Sequence, residues 1–163
     1  MKTRVFPLVF ASMMLAGAQA QNVPSGSALF TLWGEGTATD NGAGGNMQGV
    51  SQTNLIGAAT FAYTFLNGNL LGNNGGGLGT CSLQNGTLEV KTNQGTITMT
   101  QAGMSCNVNN GTGPNTVTGT YLITQGSGKF QGVTGTGSVV VSFSSDGSPG
   151  KGLIRLDGLL IAP

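Results

Sequence analysis

Residues Leu88–Met99, LEVKTNQGTITM, carry the pattern that decides the fold. Leu88 and Val90 alternate with Thr87, Glu89 and Lys91, and Ile97 and Met99 alternate with Thr96, Thr98 and Thr100. A period of two places the apolar side chains on one face of a strand. Asn93-Gln94-Gly95 separates the two runs, and Asn and Gly tolerate the positive φ that a tight hairpin turn requires. With Asn93 and Gln94 at the tip, opposed residues have numbers that sum to 187, which sets Leu88 against Met99 and Val90 against Ile97. The same relation sets Cys81 against Cys106 and predicts a disulfide in an oxidising compartment. A redox pair is more often a CxxC, and none is present. Asn85-Gly86 is a turn signal inside this segment and allows a break in the register before the bridge.

The same alternation recurs along the chain. Ala59, Phe61, Tyr63 and Phe65 share one face, as do Val117, Gly119, Tyr121 and Ile123; Val139, Val141 and Phe143 form a third set, and Ile154 and Leu156 a fourth. Further turn signals lie at Asn41-Gly42, Asn67-Gly68, Asn110-Gly111 and Asp146-Gly147. Thirty glycines with few charges would suit a disordered chain, but disordered chains lack patterned runs of β-branched and aromatic residues. The pattern predicts an all-β, up-and-down antiparallel meander without helices. About eight strands hide their edges best by closing into a barrel, with a two-sheet sandwich as the alternative. Gly119, Gly137 and Gly158 fall inside strands, where a barrel needs tight bends. An outer-membrane barrel would show lipid-facing apolar positions and aromatic girdles; the outward faces here read mostly as Thr, Ser, Glu and Lys.

Residues 1–20 form a separate unit. Lys2 and Arg4 precede an apolar run from Val5 to Ala16, and Ala18-Gln19-Ala20 has the small-x-small form of a signal-peptidase site. The run is too short for a membrane anchor, and no Cys follows the cleavage point for lipidation. Residues 21–163 are then a single exported domain, secreted or periplasmic. They carry Lys91, Lys129, Lys151 and Arg155 against Glu35, Asp40, Glu89, Asp146 and Asp157, a net charge of −1. Four scattered cations cannot form the clustered basic surface that nucleic acid or an anionic membrane requires.

The glycine-rich stretch Tyr121–Gly135, YLITQGSGKFQGVTG, is a hairpin corner and not a phosphate cradle. Phe130 follows Gly128-Lys129 where a Walker loop needs Ser or Thr, and Gly132 falls one place late for a dinucleotide fingerprint. The stretch resembles the Y-x-I-T-G-G-[ST]-G-x-F-x-G-A-x-G hairpin of plant dirigent proteins and allene oxide cyclases. It resembles still more closely a broad set of secreted bacterial proteins with the same domain and two central cysteines. The similarity is strong over residues 116–143, weaker over 79–108 and slight in the first third; Gln125 and Val133 depart from the family's usual Gly and Ala. The resemblance implies a closed eight-stranded antiparallel barrel, often trimeric in the plant members, whose interior holds apolar substrates in the plant enzymes. The active-site polar residues of those enzymes have no matching positions in this chain.

Catalytic groups are scarce. The chain has no His, which excludes Ser-His-Asp and Cys-His arrangements and a His-rich metal site, and two paired cysteines leave no thiolate. Glu35 and Asp40 are a conceivable carboxylate pair for glycoside hydrolysis, although acids in a glycine-rich segment are more often solvated. Glu89 and Lys91 read as an exposed strand face, while Arg155 and Asp157 are an ion pair if buried together and matter little if exposed. The candidate ligand site is the aromatic stripe Phe61, Tyr63 and Phe65 with Tyr121 on another strand, lining a cavity or forming a filled core; Trp33 joins either. The expectation is a non-enzymatic secreted barrel binding a small apolar molecule in its interior, without cofactor or metal. The alternatives are a cyclase or isomerase acting by confinement, and a self-associating surface protein that forms homo-oligomers.

Overall fold

The computed structural model describes residues 26–73, 80–107, 114–144 and 150–163. The expected leader, residues 1–20, and the turn signals at Asn110-Gly111 and Asp146-Gly147 lie outside these residues. Eight strands follow in order: β1 (Gly26–Asp40), β2 (Gly44–Thr53), β3 (Gly57–Asn73), β4 (Thr80–Thr92), β5 (Gly95–Asn107), β6 (Asn115–Gly126), β7 (Thr134–Phe143) and β8 (Gly150–Ala162). Each pairs antiparallel with the next, and β8 returns to β1, closing an up-and-down barrel. Closure leaves no strand edge unpaired, the liability that a lone meander would carry.

The β4–β5 hairpin has the register expected from its tip. Leu88 opposes Met99, Val90 opposes Ile97, and the ladder runs without a shift to Cys81 opposite Cys106, which are joined as a disulfide with their Cα atoms 4.1 Å apart. That bond is compatible with an extracellular or periplasmic location. Among the described residues, no helix is long and apolar enough to cross a membrane.

Two turn signals are corrected. Asn85-Gly86 lies inside β4, because the Tyr63 ring of the neighbouring strand needs the space that a Cβ at residue 86 would fill, 2.5 Å from Tyr63 Cε2. Asn67-Gly68 lies inside β3 and marks the start of two bulges against β4 rather than a reversal. Asn67 stays in the ladder region by donating from its backbone N–H to Ala43 O at 2.9 Å and from Nδ2 to Gly42 O at 3.1 Å. Asn41-Gly42 is a turn as expected: Gly42 has φ +86°, and its N–H donates to Asp40 Oδ1 at 2.8 Å.

The stretch Tyr121–Gly135 is a hairpin corner between β6 and β7, with a single 3-10 turn at Gly128–Phe130. Lys129 N–H donates to Gln94 O and Ser127 N–H to Thr96 O, so the corner docks on the β4–β5 turn. Phe130 is fully buried there and Val133 nearly so, and both join the core cluster.

Most buried inward positions are apolar, with Ser51, Gln84 and Gln101 as the buried polar side chains among the described residues. This is the inverse of the polar lumen of a transmembrane barrel. The outer wall is more apolar than the alternation suggested. Leu29 stands directly opposite Leu159, with Ile161 and Leu122 nearby, all of them exposed.

Candidate functional site

Four of the five expected site residues face the barrel interior. Phe61, Tyr63 and Phe65 project from β3, and Tyr121 from β6; all are buried. Tyr63 stacks on Phe65 with centroids 5.4 Å apart, and Phe65 stacks on Phe143 at the same distance. These rings have room because the strands beside them carry glycine. Phe61 lies over Gly34, Tyr63 over Gly86, Phe65 over Gly45, and Tyr121 over the opposed pair Gly137 and Gly158. A small barrel encloses just enough volume for its own side chains, and here aromatic rings over glycines occupy it.

Two interior residues that the sequence reading passed over carry polar atoms. Tyr63 Oη lies 2.8 Å from the side-chain amides of both Gln84 and Gln101, and Gln84 Nε2 donates to Asn67 Oδ1 at 3.0 Å. A hydroxyl has one proton, so the two amides cannot both accept it. The consistent arrangement turns the Gln101 amide to donate to Tyr63 Oη, which donates to Gln84 Oε1, giving one directed chain from Gln101 to Asn67. The other end of the Gln101 amide and the Tyr121 hydroxyl are buried without a partner among the described residues. The signal for Gln101 was its position two beyond Met99, on the same alternation.

The two tyrosines should therefore respond differently to loss of a hydroxyl. Tyr63→Phe leaves two buried amides short of a partner and is expected to cost about 1–3 kcal/mol. Tyr121→Phe removes an unpartnered hydroxyl and is expected to leave stability unchanged or slightly raised, as read by urea unfolding of each variant. Alkaline pH tests the same burial. Desolvation, and secondarily the Asp157 carboxylate, push Tyr121 up to about 12 from 10.0, and burial pushes Tyr63 higher still. Below pH 10 both phenols are neutral whether the chain is folded or not. Above it the unfolded chain loses protons that the folded barrel retains, so stability falls as pH rises through 10 to 12. With two tyrosines in the chain, tyrosinate absorbance should appear together with loss of near-ultraviolet dichroism and not before it.

Trp33 is placed apart from the others. It sits on the outer face of β1 and is 54% exposed, because Phe30 and Leu32 take the inward positions and residue 33 falls on the opposite parity. It borders a groove of about 900 Å3 across the outer faces of β1 to β4. Two rows of opposed residues form it. In one, Glu35 faces Val50, Val50 faces Thr60 and Thr60 faces Lys91. In the other, Trp33 faces Gln52 and Gln52 faces Ala58, with Asn93 beyond at the hairpin tip. Val50, Ala58 and Thr60 make the low middle of the trough, between Trp33 and Glu35 on β1 and Lys91 on β4. A second depression of about 370 Å3 lies against Trp33 on the side of Arg155 and Asp157.

The acidic and basic candidates do not assemble a catalytic pair. Glu35 and Asp40 are five residues apart on one strand, about 17 Å along it, far beyond the separation at which two carboxylates flank a glycosidic bond. Asp40 is spent on the Gly42 turn. Arg155 Nε and Asp157 Oδ2 are 2.6 Å apart on the outer wall, an exposed ion pair of little energetic weight. No cluster of three or more metal-ligating side chains exists among the described residues. The chain matches no protein-family model, no curated protein and no solved structure.

Proposed function

We propose that this protein is an exported, non-enzymatic binding barrel whose small ligand lies in the outer groove beside Trp33. One observation carries the reading: a trough of about 900 Å3, within the usual size of small-molecule sites, with an exposed indole at one end and, on its rim, the charged groups of Glu35 and Lys91, which have no partner among the described residues. The aromatic interior favours a packed core over the internal ligand cavity, since Phe61, Tyr63, Phe65 and Tyr121 are buried over glycines of nearby strands and Phe65 of β3 stacks across the barrel on Phe143 of β7. Their role is to hold the wall rigid, and the groove then keeps its shape without a ligand. The leader-like residues 1–20 support export, and the disulfide is compatible with it.

Trp33 is the one tryptophan of the chain, so its fluorescence reports this site alone. A ligand in the groove should shift or quench its emission saturably, and Thr60→Arg, which fills the trough floor, should abolish the saturable change. Binding measured by calorimetry that leaves Trp33 emission unmoved would place the ligand elsewhere and end this reading.

A further inference from the structure

We infer that the ligand of the groove is an unbranched neutral glycan lying across strands β1 to β4; this rests on the reading of the groove as a ligand site. The trough runs perpendicular to the strands, and three inter-strand spacings separate Glu35 from Lys91, about 14 Å. That length suits about three pyranose units in a row. An exposed indole offers a flat apolar platform with an N–H at its edge, which matches the C–H face and equatorial hydroxyls of a pyranose ring.

The polar groups decide between a glycan and a hydrocarbon chain. Glu35, Gln52, Thr60, Lys91 and Asn93 are exposed and border the trough; Glu35 accepts, Lys91 donates, and Gln52, Thr60 and Asn93 do both. Among the described residues, no ion pair or hydrogen bond engages the side chains of Glu35, Gln52 or Lys91. An acyl chain would cover the apolar part of the trough, Trp33, Val50 and Ala58, but it would strip water from a carboxylate, an amide and an ammonium without replacing the lost hydrogen bonds. A sugar chain replaces those bonds hydroxyl by hydroxyl while its C–H face covers Trp33. Glu35 and Lys91 stand too far apart to neutralise one another, so each remains available to a hydroxyl at its own end of the chain.

The test is fluorescence titration of the mature protein with chitotriose, cellotriose, xylotriose and maltotriose, with their monosaccharides, and with dodecanoate as the hydrocarbon probe. At least one trisaccharide should change Trp33 emission saturably and bind about tenfold or more tightly than its monosaccharide. Trp33→Ala, followed by calorimetry, should weaken that binding about tenfold, Trp33→Phe less, and Glu35→Gln about threefold or more, with thermal midpoints unchanged because both positions are exposed. If dodecanoate shifts the emission and no trisaccharide does, the glycan assignment is overturned while the groove remains a ligand site. If none of the probes acts on Trp33, both readings fall.

Discussion

Replacing Cys81 and Cys106 together by serine is expected to lower stability by about 3 kcal/mol and the thermal midpoint by roughly 10 °C. The bridge closes a loop spanning 25 residues, and opening it returns to the unfolded chain the conformations that closure removed. The folded barrel should change little. The β4–β5 ladder runs from Ser82 opposite Ser105 down to Thr92 opposite Gly95 without help from the sulfurs, and both cysteines lie on the outer face, away from the core cluster. Far-ultraviolet dichroism of the double variant should therefore match the parent at room temperature, while its urea midpoint drops. The dependence on urea should steepen, because an unfolded chain without the link exposes more surface. Reduction of the parent by dithiothreitol should reproduce the shift, and adding the reductant to the double variant should do nothing. A loss below about 1 kcal/mol would mean that the hairpin stays closed in the unfolded chain without the bond, and that loop closure is not what the disulfide contributes.

Much of this architecture was legible because one hairpin determined its own register. Leu88 against Met99 and Val90 against Ile97 are separated by few residues, so the tip at Asn93-Gln94 set both the faces and the pairing of Cys81 with Cys106. Where partners are distant in sequence, the same reasoning lost its grip. Gly86 and Tyr63 are 23 residues apart, and before the β3–β4 register was known an Asn-Gly pair read as a turn and not as a space for a ring. Trp33 was read as an interior residue and lies on the outer wall, for a related reason. Around it, Phe30 and Leu32 face inward while Leu29 and Trp33 face outward, and the inward Gly34 contributes no hydrophobic signal that would settle the parity. The groove was invisible altogether, since its floor joins Val50, Ala58 and Thr60 from two strands to end residues on two others, and the sequence shows such a row only after the registers are aligned.

Filling the space beneath the interior tyrosines should be more damaging than any change on the outer wall. Gly137 and Gly158 oppose one another across β7 and β8. A Cβ at residue 137 would stand 2.3 Å from Asp157 O, 2.6 Å from Gly158 Cα and 2.8 Å from Tyr121 Cε1; one at residue 158 would stand 2.3 Å from Thr136 O and 2.5 Å from the Tyr121 hydroxyl. The obstructing atoms include backbone on both sides, so the two strands would have to separate in a barrel whose closure allows no strand to drift. Gly137→Ala and Gly158→Ala are each expected to cost about 3 kcal/mol or more, read as a drop in urea midpoint. Gly68→Ala is the control: its nearest neighbours, Leu83 Cβ and O, lie at 3.4 Å, an ordinary contact, and the loss of glycine's freedom in the unfolded chain should make it neutral or stabilising by a few tenths of a kcal/mol. A double-mutant cycle separates ring from backbone. At Gly86 the closest atom is Tyr63 Cε2 at 2.5 Å, with Thr64 O next at 2.9 Å, so Tyr63→Leu should recover much of the damage done by Gly86→Ala. At Gly137 the backbone clash persists whatever residue 121 carries, and Tyr121→Leu should recover little. Equal recovery at the two sites would show that the rings alone hold the strands apart, and that the close approach of the β7 and β8 backbones does not depend on glycine.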